Sequence, residues 1–221
     1  MTTAALTERL AALDACAVSD ALDSLGADGA VPGLARRCTR DTVAGRVQTV
    51  KLAAGKPPGG PKRHLGARSI EQARDTDVIV IEQRSGVEAA GWGGVLAAAA
   101  KAKGVRGVIV EGPARDVDEC ERIGLAVFSR STTPRTARGR IHEAGVNVDI
   151  RVGDVSVAPG DLVIADGTGV VFVPAAIAEA VIARAETIAA AERRMARAVA
   201  AGRPATAVLG EDYETLLAPR D

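Results

Sequence analysis

Between Asp77 and Val110 the chain reads VIVIE, a glycine-containing loop from Arg84 to Gly94, VLAAAAKAKG, and then VRGVIV. The two short runs are apolar at successive rather than alternate positions, the pattern of strands covered on both faces. The stretch between them consists of strong helix formers, and Gly104 closes it as a helix C-terminus favours. Strand, helix and strand in this order predict a parallel crossover unit. In sheets built from such units, ligand groups gather beyond the carboxyl ends of the strands. Two loops occupy such ends, Gly91 to Leu96 and Gly112 to Glu119.

The rest of the chain fits around that unit. Apolar residues at helical spacing (Leu10, Leu13, Ala17, Ala21, Leu22) predict one N-terminal helix over 7–25, stopped by Gly26. Residues 27–45 are rich in glycine, proline and polar residues and lead into a strand over 44–52. Gly55 to Pro61 reads as an exposed loop. Ala126 to Phe128, Val146 to Val152 and Val155 to Val157 read as short strands. Leu162 to Ala165 and Val170 to Val173 form a hairpin around Asp166-Gly167-Thr168-Gly169. Pro174 opens a long helix over about 175–201, ended by Gly202. With no repeat and no linker, residues 1–221 are expected to form a single α/β domain, a mixed β-rich layer flanked by helices. The terminal helix is long enough to reach a neighbouring subunit.

Charge and composition narrow the function. Lys plus Arg and Asp plus Glu number 28 each, so no overall field recruits nucleic acid or an anionic membrane. The aromatic set is Trp92, Phe128, Phe172 and Tyr213, too few for the stacking platforms of single-strand binders. Cys16, Cys38 and Cys120 form no CxxC pair and are expected as buried small hydrophobes in a reducing compartment. The first residues read as a helix with interleaved acids, not as a signal peptide, and no apolar run reaches the roughly 18 residues of a membrane span. A cytoplasmic protein acting on small molecules is expected.

Arg115-Asp116 is the pair best suited to chemistry. A guanidinium presents a planar fork to a carboxylate, and a neighbouring Asp on a turn offers a hard oxygen to magnesium or manganese. Such a pair is also common as a surface ion pair. Its place after a buried strand and a Gly-Pro turn, followed by Asp118 and Glu119, favours a site. The loop Gly91-Trp92-Gly93-Gly94 enters a helix whose first-turn amides suit an anion, although glycine also serves tight turns. His64 and His142 are too few and too far apart for a zinc site or a triad. Neither a phosphate loop nor a dinucleotide fingerprint is present.

The segment GWGGVLAAAAKAKGVRGVIVEGPARDVDE, with VSDALDSLG, AGRVQTV, VFSRSTTPRTARGR and VAPGDLVIADGTGVVFVP, resembles the RraA-like family along nearly the whole chain. That family includes the 4-hydroxy-4-methyl-2-oxoglutarate aldolases. The resemblance implies a layered β/β/α, swivelling-domain-like fold and a homotrimer, sometimes paired into a hexamer, with sites between subunits. The family's aldolases carry the pattern D-x(20)-R-D-x-x-[E/D] and cleave 4-hydroxy-2-oxo acids to pyruvate with a divalent metal. Other members lack the Asp after the Arg and restrain a ribonuclease without catalysis.

Arg115, Asp116 and Glu119 match the pattern, whereas its leading acidic place falls on Gly94. The resemblance therefore implies a Mg2+- or Mn2+-dependent class II pyruvate aldolase, with oxaloacetate decarboxylation as a side activity. The alternatives are a protein-binding regulator of a ribonuclease, or an enzyme of the same fold acting on another 2-oxo or hydroxy acid. Arg115 and Asp116 would be catalytic, and the amides of Gly93, Gly94, Val95 and Leu96, with Arg115, would bind substrate. Asp116 would hold the metal, joined through water by Glu119 and by Glu192 of a neighbouring subunit. A metal-bound hydroxide, helped by Glu82 or Glu119, would take the 4-hydroxyl proton. The departure at Gly94 removes a carboxylate from the proton-transfer machinery.

Overall fold

The computed structural model describes residues 1–57, 59 and 64–210. Part of the predicted loop at Gly55 to Pro61, and Tyr213, lie outside the described residues. Eleven strands and seven α-helices follow one another among the described residues. The strands are β1 (Ala30–Val31), β2 (Ala35–Cys38), β3 (Val43–Ala54), β4 (Asp77–Glu82), β5 (Gly107–Ala114), β6 (Ala126–Thr132), β7 (Ile141–Val146), β8 (Ile150–Val152), β9 (Val155–Val157), β10 (Leu162–Ala165) and β11 (Val170–Val173). The helices are α1 (Thr3–Ala11), α2 (Ala15–Ser24), α3 (Ala67–Gln72), α4 (Gly94–Lys103), α5 (Val117–Ile123), α6 (Ala178–Ala200) and α7 (Ala205–Val208). No helix among the described residues is long and apolar enough to cross a membrane.

The main sheet runs β1-β11-β10-β3-β4-β5-β6-β2, with β7 paired to β3. Its centre, β3-β4-β5-β6, is parallel, and the outer pairings are antiparallel. Alternate side chains of each strand enter different apolar layers. Val78, Val80, Ile109, Phe128, Val163, Val170 and Phe172 share one interior with Ile150, Val152 and Val157 of the β8–β9 hairpin. On the other face Ile79, Ile81, Val108, Val110 and Val127 pack under Ile70, Leu96, Ala97, Ala100 and Cys120 of α3, α4 and α5. Farther along that face, Leu162, Ile164, Val171 and Val173 meet α1, α2 and α6. The runs without polar alternation are thus strands covered twice, and the sheet curls around the first of these layers.

Several expected boundaries change. The predicted helix over 7–25 is two helices, because Asp14 takes the N-cap of α2 and its carboxylate accepts from the Ala17 amide at 2.8 Å. Val146 to Val152 is not one strand. Asn147 adopts a left-handed φ of 54° between β7 and β8, which reverses the chain. The Gly-Pro turn expected at 112–113 lies inside β5, where a register shift between Val110 and Pro113 marks a bulge. The strands β1 and β2 arise within a stretch whose glycines and prolines suggested a loop. Cys16, expected to be buried, is exposed.

Candidate active site at the ends of β4 and β5

The loop after β4 is held like an extra strand along the end of β5. The Gly91 amide donates to the Pro113 carbonyl at 2.8 Å, the Arg115 amide donates to the Trp92 carbonyl at 3.0 Å, and Trp92 bridges Ala114 in parallel. Gly91 permits this approach, since a Cβ there would lie 3.2 Å from Val110 and 3.3 Å from Leu52. Gln83, at the end of β4, ties the same loop from below: its side-chain amide donates to the carbonyls of Val87 and Ala89 at 3.0 and 2.9 Å. Trp92 is buried, and its Nε1 has no acceptor among the described residues.

That arrangement brings Arg115 and Asp116 onto the start of α4. Asp116 has a left-handed φ of 55°, and its carboxylate turns away from α5 toward the preceding helix. Asp116 Oδ2 accepts from the Gly94 amide at 2.9 Å and lies 3.4 Å from Arg115 Nε. Gly93, the N-cap of α4, has no side chain with which to cap it, so a carboxylate from a different loop satisfies one of the helix's unpaired donors. The Gly93 position lies directly beneath both groups: a Cβ there would lie 2.9 Å from Asp116 Oδ2 and 3.1 Å from Arg115 Nε. Both side chains remain open to solvent, at 37% for Arg115 and 43% for Asp116, so the pair is not sealed in a dry contact.

The predicted residues divide. Gly93, Gly94, Val95 and Leu96 stand together with Arg115 and Asp116 at the head of α4. The Gly94 amide is already engaged by Asp116, which leaves the amides of Gly93, Val95 and Leu96 without acceptors among the described residues. Val95 is 84% exposed, an apolar side chain at the mouth of the site. Glu119, in the first turn of α5, pairs with Arg122 and lies against Gly94. Glu82 is elsewhere: it alternates with Ile81 onto the other face of β4, accepts from the Arg151 amide at 2.8 Å and pairs with Lys51 at 3.6 Å. Its expected help with proton transfer is therefore withdrawn, because its oxygens are committed away from α4. Glu192 sits on α6 beside Asp14 and Asp20 of α2, and these do not belong to the cluster at α4 within one chain. His64 and His142 bond to the Leu65 and Gly55 carbonyls, apart from the site.

Within a single chain a divalent cation would meet one open carboxylate, that of Asp116. Among the described residues no three acidic, histidine or cysteine side chains stand together as a metal cluster. The Asp116 carboxylate is nevertheless open to solvent and shares the Gly94 position with Glu119, and magnesium keeps most of its waters while binding through one or two carboxylates. The residues present fit such an ion.

A model of the RraA-like family, described as Aldolase/RraA, matches residues 15–172. The chain belongs to the RraA-like family. A protein from Halalkalibacterium halodurans named a putative 4-hydroxy-4-methyl-2-oxoglutarate aldolase is 29% identical over 183 residues, 82% of this chain and 82% of that protein. Protein DlpA of Legionella pneumophila is 25% identical over 197 residues, 89% of this chain but 32% of its own length. The chain thus spans about a third of that relative. A crystal structure of an uncharacterized protein from Pseudomonas syringae pv. tomato superposes with a TM-score of 0.84 at 29% identity, covering 94% of this chain and 98% of that one. The mixed sheet with its long C-terminal helix is therefore the RraA-like fold.

Two residues that position the site, Gln83 and Trp92, do not stand out in the sequence as positioning groups. Gln83 follows directly on VIVIE, and a polar residue closing a buried strand was the available signal.

Proposed function

We propose that this member of the RraA-like family is a divalent-metal-dependent class II aldolase that releases pyruvate from 4-hydroxy-2-oxo acids and also decarboxylates oxaloacetate. The observation that supports this reading is the meeting of Arg115, Asp116 and three unpaired amides at the head of α4. The amides of Gly93, Val95 and Leu96, at the positive end of a helix dipole, receive the substrate carboxylate. Arg115 donates to the 2-oxo oxygen, where negative charge develops as the bond between C3 and C4 breaks. Asp116 would hold the cation, while its Oδ2 accepts from the Gly94 amide. A divalent ion bound there supplies Lewis-acid polarisation of the 2-oxo group.

Cleavage needs a proton acceptor for the 4-hydroxyl. In this reading Glu119 takes it: its stem lies beside Gly94, and its carboxylate leaves Arg122 to reach the substrate. The C3–C4 electron pair moves onto the pyruvate fragment as its enolate, the 4-hydroxyl carbon becomes a carbonyl, and the proton returns to C3. Assembly into a homotrimer would bring Glu192 of a neighbouring copy to the site.

The test is a lactate dehydrogenase-coupled pyruvate assay with 4-hydroxy-4-methyl-2-oxoglutarate and with oxaloacetate, run with magnesium and with chelator. Chelator-sensitive pyruvate release is expected, and Arg115→Ala or Asp116→Ala should each lower kcat/KM by about 100-fold or more. If folded protein releases no pyruvate from either substrate, the proposal fails in favour of a ribonuclease-binding regulator or an enzyme of the same fold acting on another 2-oxo or hydroxy acid.

A further inference from the structure

A second polar cluster lies at the amino end of the parallel strands, the opposite end of the sheet from the α4 site. There β2 pairs with β6, placing Cys38 opposite Val127 near the start of that strand, and α5 packs on β2. Arg36, Arg37, Cys38, Thr39 and Arg40, with Glu121 of α5, line an open cavity of about 450 Å³. One short stretch of chain therefore brings three guanidinium groups to one place. Lys plus Arg and Asp plus Glu balance at 28 each over the whole chain, so this excess is a local feature of the fold.

None of the three arginines forms an ion pair among the described residues. Arg37 donates to the Ser129 hydroxyl at 3.0 Å and to the Ser129 and Arg130 carbonyls at 2.8 and 2.7 Å, acceptors that fix its guanidinium without neutralising it. Arg36 lies over the Phe128 ring and beside Gly167 of the β10–β11 turn, and its buried Nε has no acceptor among the described residues. Arg40 is exposed. Thr39 is β-branched yet holds a left-handed φ of 55°, a strained conformation of the kind found at ligand sites. Its amide donates to the Glu121 carboxylate, and its Oγ1 is buried without a partner among the described residues. Glu121 thus sits on the Thr39 amide as an anion would, and it is the one acidic residue of the lining.

We propose that this cavity binds a small phosphorylated ligand carrying at least two negative charges, a phosphate monoester or a diphosphate. Guanidinium forks match phosphate oxygens in geometry as well as in charge. Three arginines against one carboxylate leave an excess of two positive charges in the lining, which a phosphate group neutralises and a single carboxylate does not. Arg40 and the terminal nitrogens of Arg36 engage the ligand. Movement of Glu121 off the Thr39 amide then offers it two more donors, that amide and the Thr39 hydroxyl, whose lack of a partner is otherwise unexplained. The site is separate from Arg115 and Asp116 and stands independently of the aldolase reading.

The experiment is isothermal titration calorimetry of the full chain with inorganic pyrophosphate at low ionic strength, with chelator present so that no metal carries the anion to Asp116. Saturable binding of one pyrophosphate per chain is expected, weakening as salt is added. Arg40→Glu, at an exposed position that enters no ion pair, should weaken it by about tenfold or more. Glu121→Gln should tighten it several-fold, because the amide oxygen still accepts from Thr39 while the repelling charge is gone. Arg115→Ala should leave it unchanged. Succinate, a dicarboxylate, should bind about tenfold more weakly than pyrophosphate. The proposal is overturned if no saturable binding is seen, or if succinate binds as well as pyrophosphate. It is equally overturned if binding survives Arg40→Glu and is lost with Arg115→Ala, which would put the anion at the head of α4.

Discussion

At Gly94 the question of a missing carboxylate becomes one of space. A Cβ built there would stand 2.8 Å from Glu119 Cγ and 3.3 Å from Asp116 Cβ. The volume of a side chain at 94 is therefore filled by the stem of Glu119, reaching in from α5. Restoring the family's acidic residue by Gly94→Asp alone is expected to destabilise the protein by about 1–3 kcal/mol, the usual cost of overpacking, and to raise no activity. Adding Glu119→Ala should recover most of that loss, measurable as thermal midpoints of the two variants. Equal midpoints for the single and double variants would show that Glu119 does not occupy the space. At this scale the motif Arg115-Asp116 was legible because residue types carry chemistry. The left-handed turn of Asp116 onto the Gly94 amide was not, since a contact 22 positions away leaves no local pattern.

On the long helix α6, two glutamates are shifted in opposite directions. Glu186 receives Arg9 Nε and NH2 at 2.7 Å each, joining α6 to α1, and this holds its carboxyl below the ordinary value. Its contribution is present above the unfolded carboxylate range and is lost as pH falls through the lowered value. Glu192 is shifted upward, first by burial and then by Asp14 and Asp20 of α2. The folded state binds that proton more tightly than the unfolded chain, so stability linked to Glu192 is complete below the unfolded value and declines as pH rises through the folded one. Glu186→Gln should therefore lower Tm near pH 7, and Glu192→Gln should raise it. Both differences should shrink toward about pH 3, where the carboxyls are protonated in either state. Calorimetric scans across that range check the signs, and a lower Tm for Glu192→Gln at neutral pH would contradict the repulsion. An unfavourable charge retained on α6 fits a role in a neighbouring subunit's site, since functional residues are commonly kept at a cost in stability.

For the whole molecule, that role makes a prediction that a single chain cannot satisfy. If Glu192 completes the site of an adjacent copy, Arg115→Ala and Glu192→Ala proteins should each be inactive alone. Mixed after reversible dissociation, they should regain part of the activity, because some interfaces then pair an intact Arg115 with an intact Glu192. Sedimentation velocity should show a trimer or hexamer, and a monomer at micromolar concentration would remove the basis for complementation.

The parallel β4–α4–β5 unit with its Gly104 cap, the β10–β11 hairpin and the long α6 could be read from residue order alone, whereas the parallel pairing of β3 and β6 onto that unit could not. Apolar runs, helix formers and glycines act over a few neighbours, and those neighbours are adjacent in the chain. The break between α1 and α2 rests on a local cap at Asp14, whereas the bulge within β5 and the two edge strands depended on partners far along the chain. So did the meeting of Arg115, Asp116 and the amides of α4, which rests on the docking of Gly91 and Trp92 along Pro113 to Arg115. Hydrogen bonds between remote backbone segments are chosen by how the whole sheet closes, and no local stretch of residues encodes that choice.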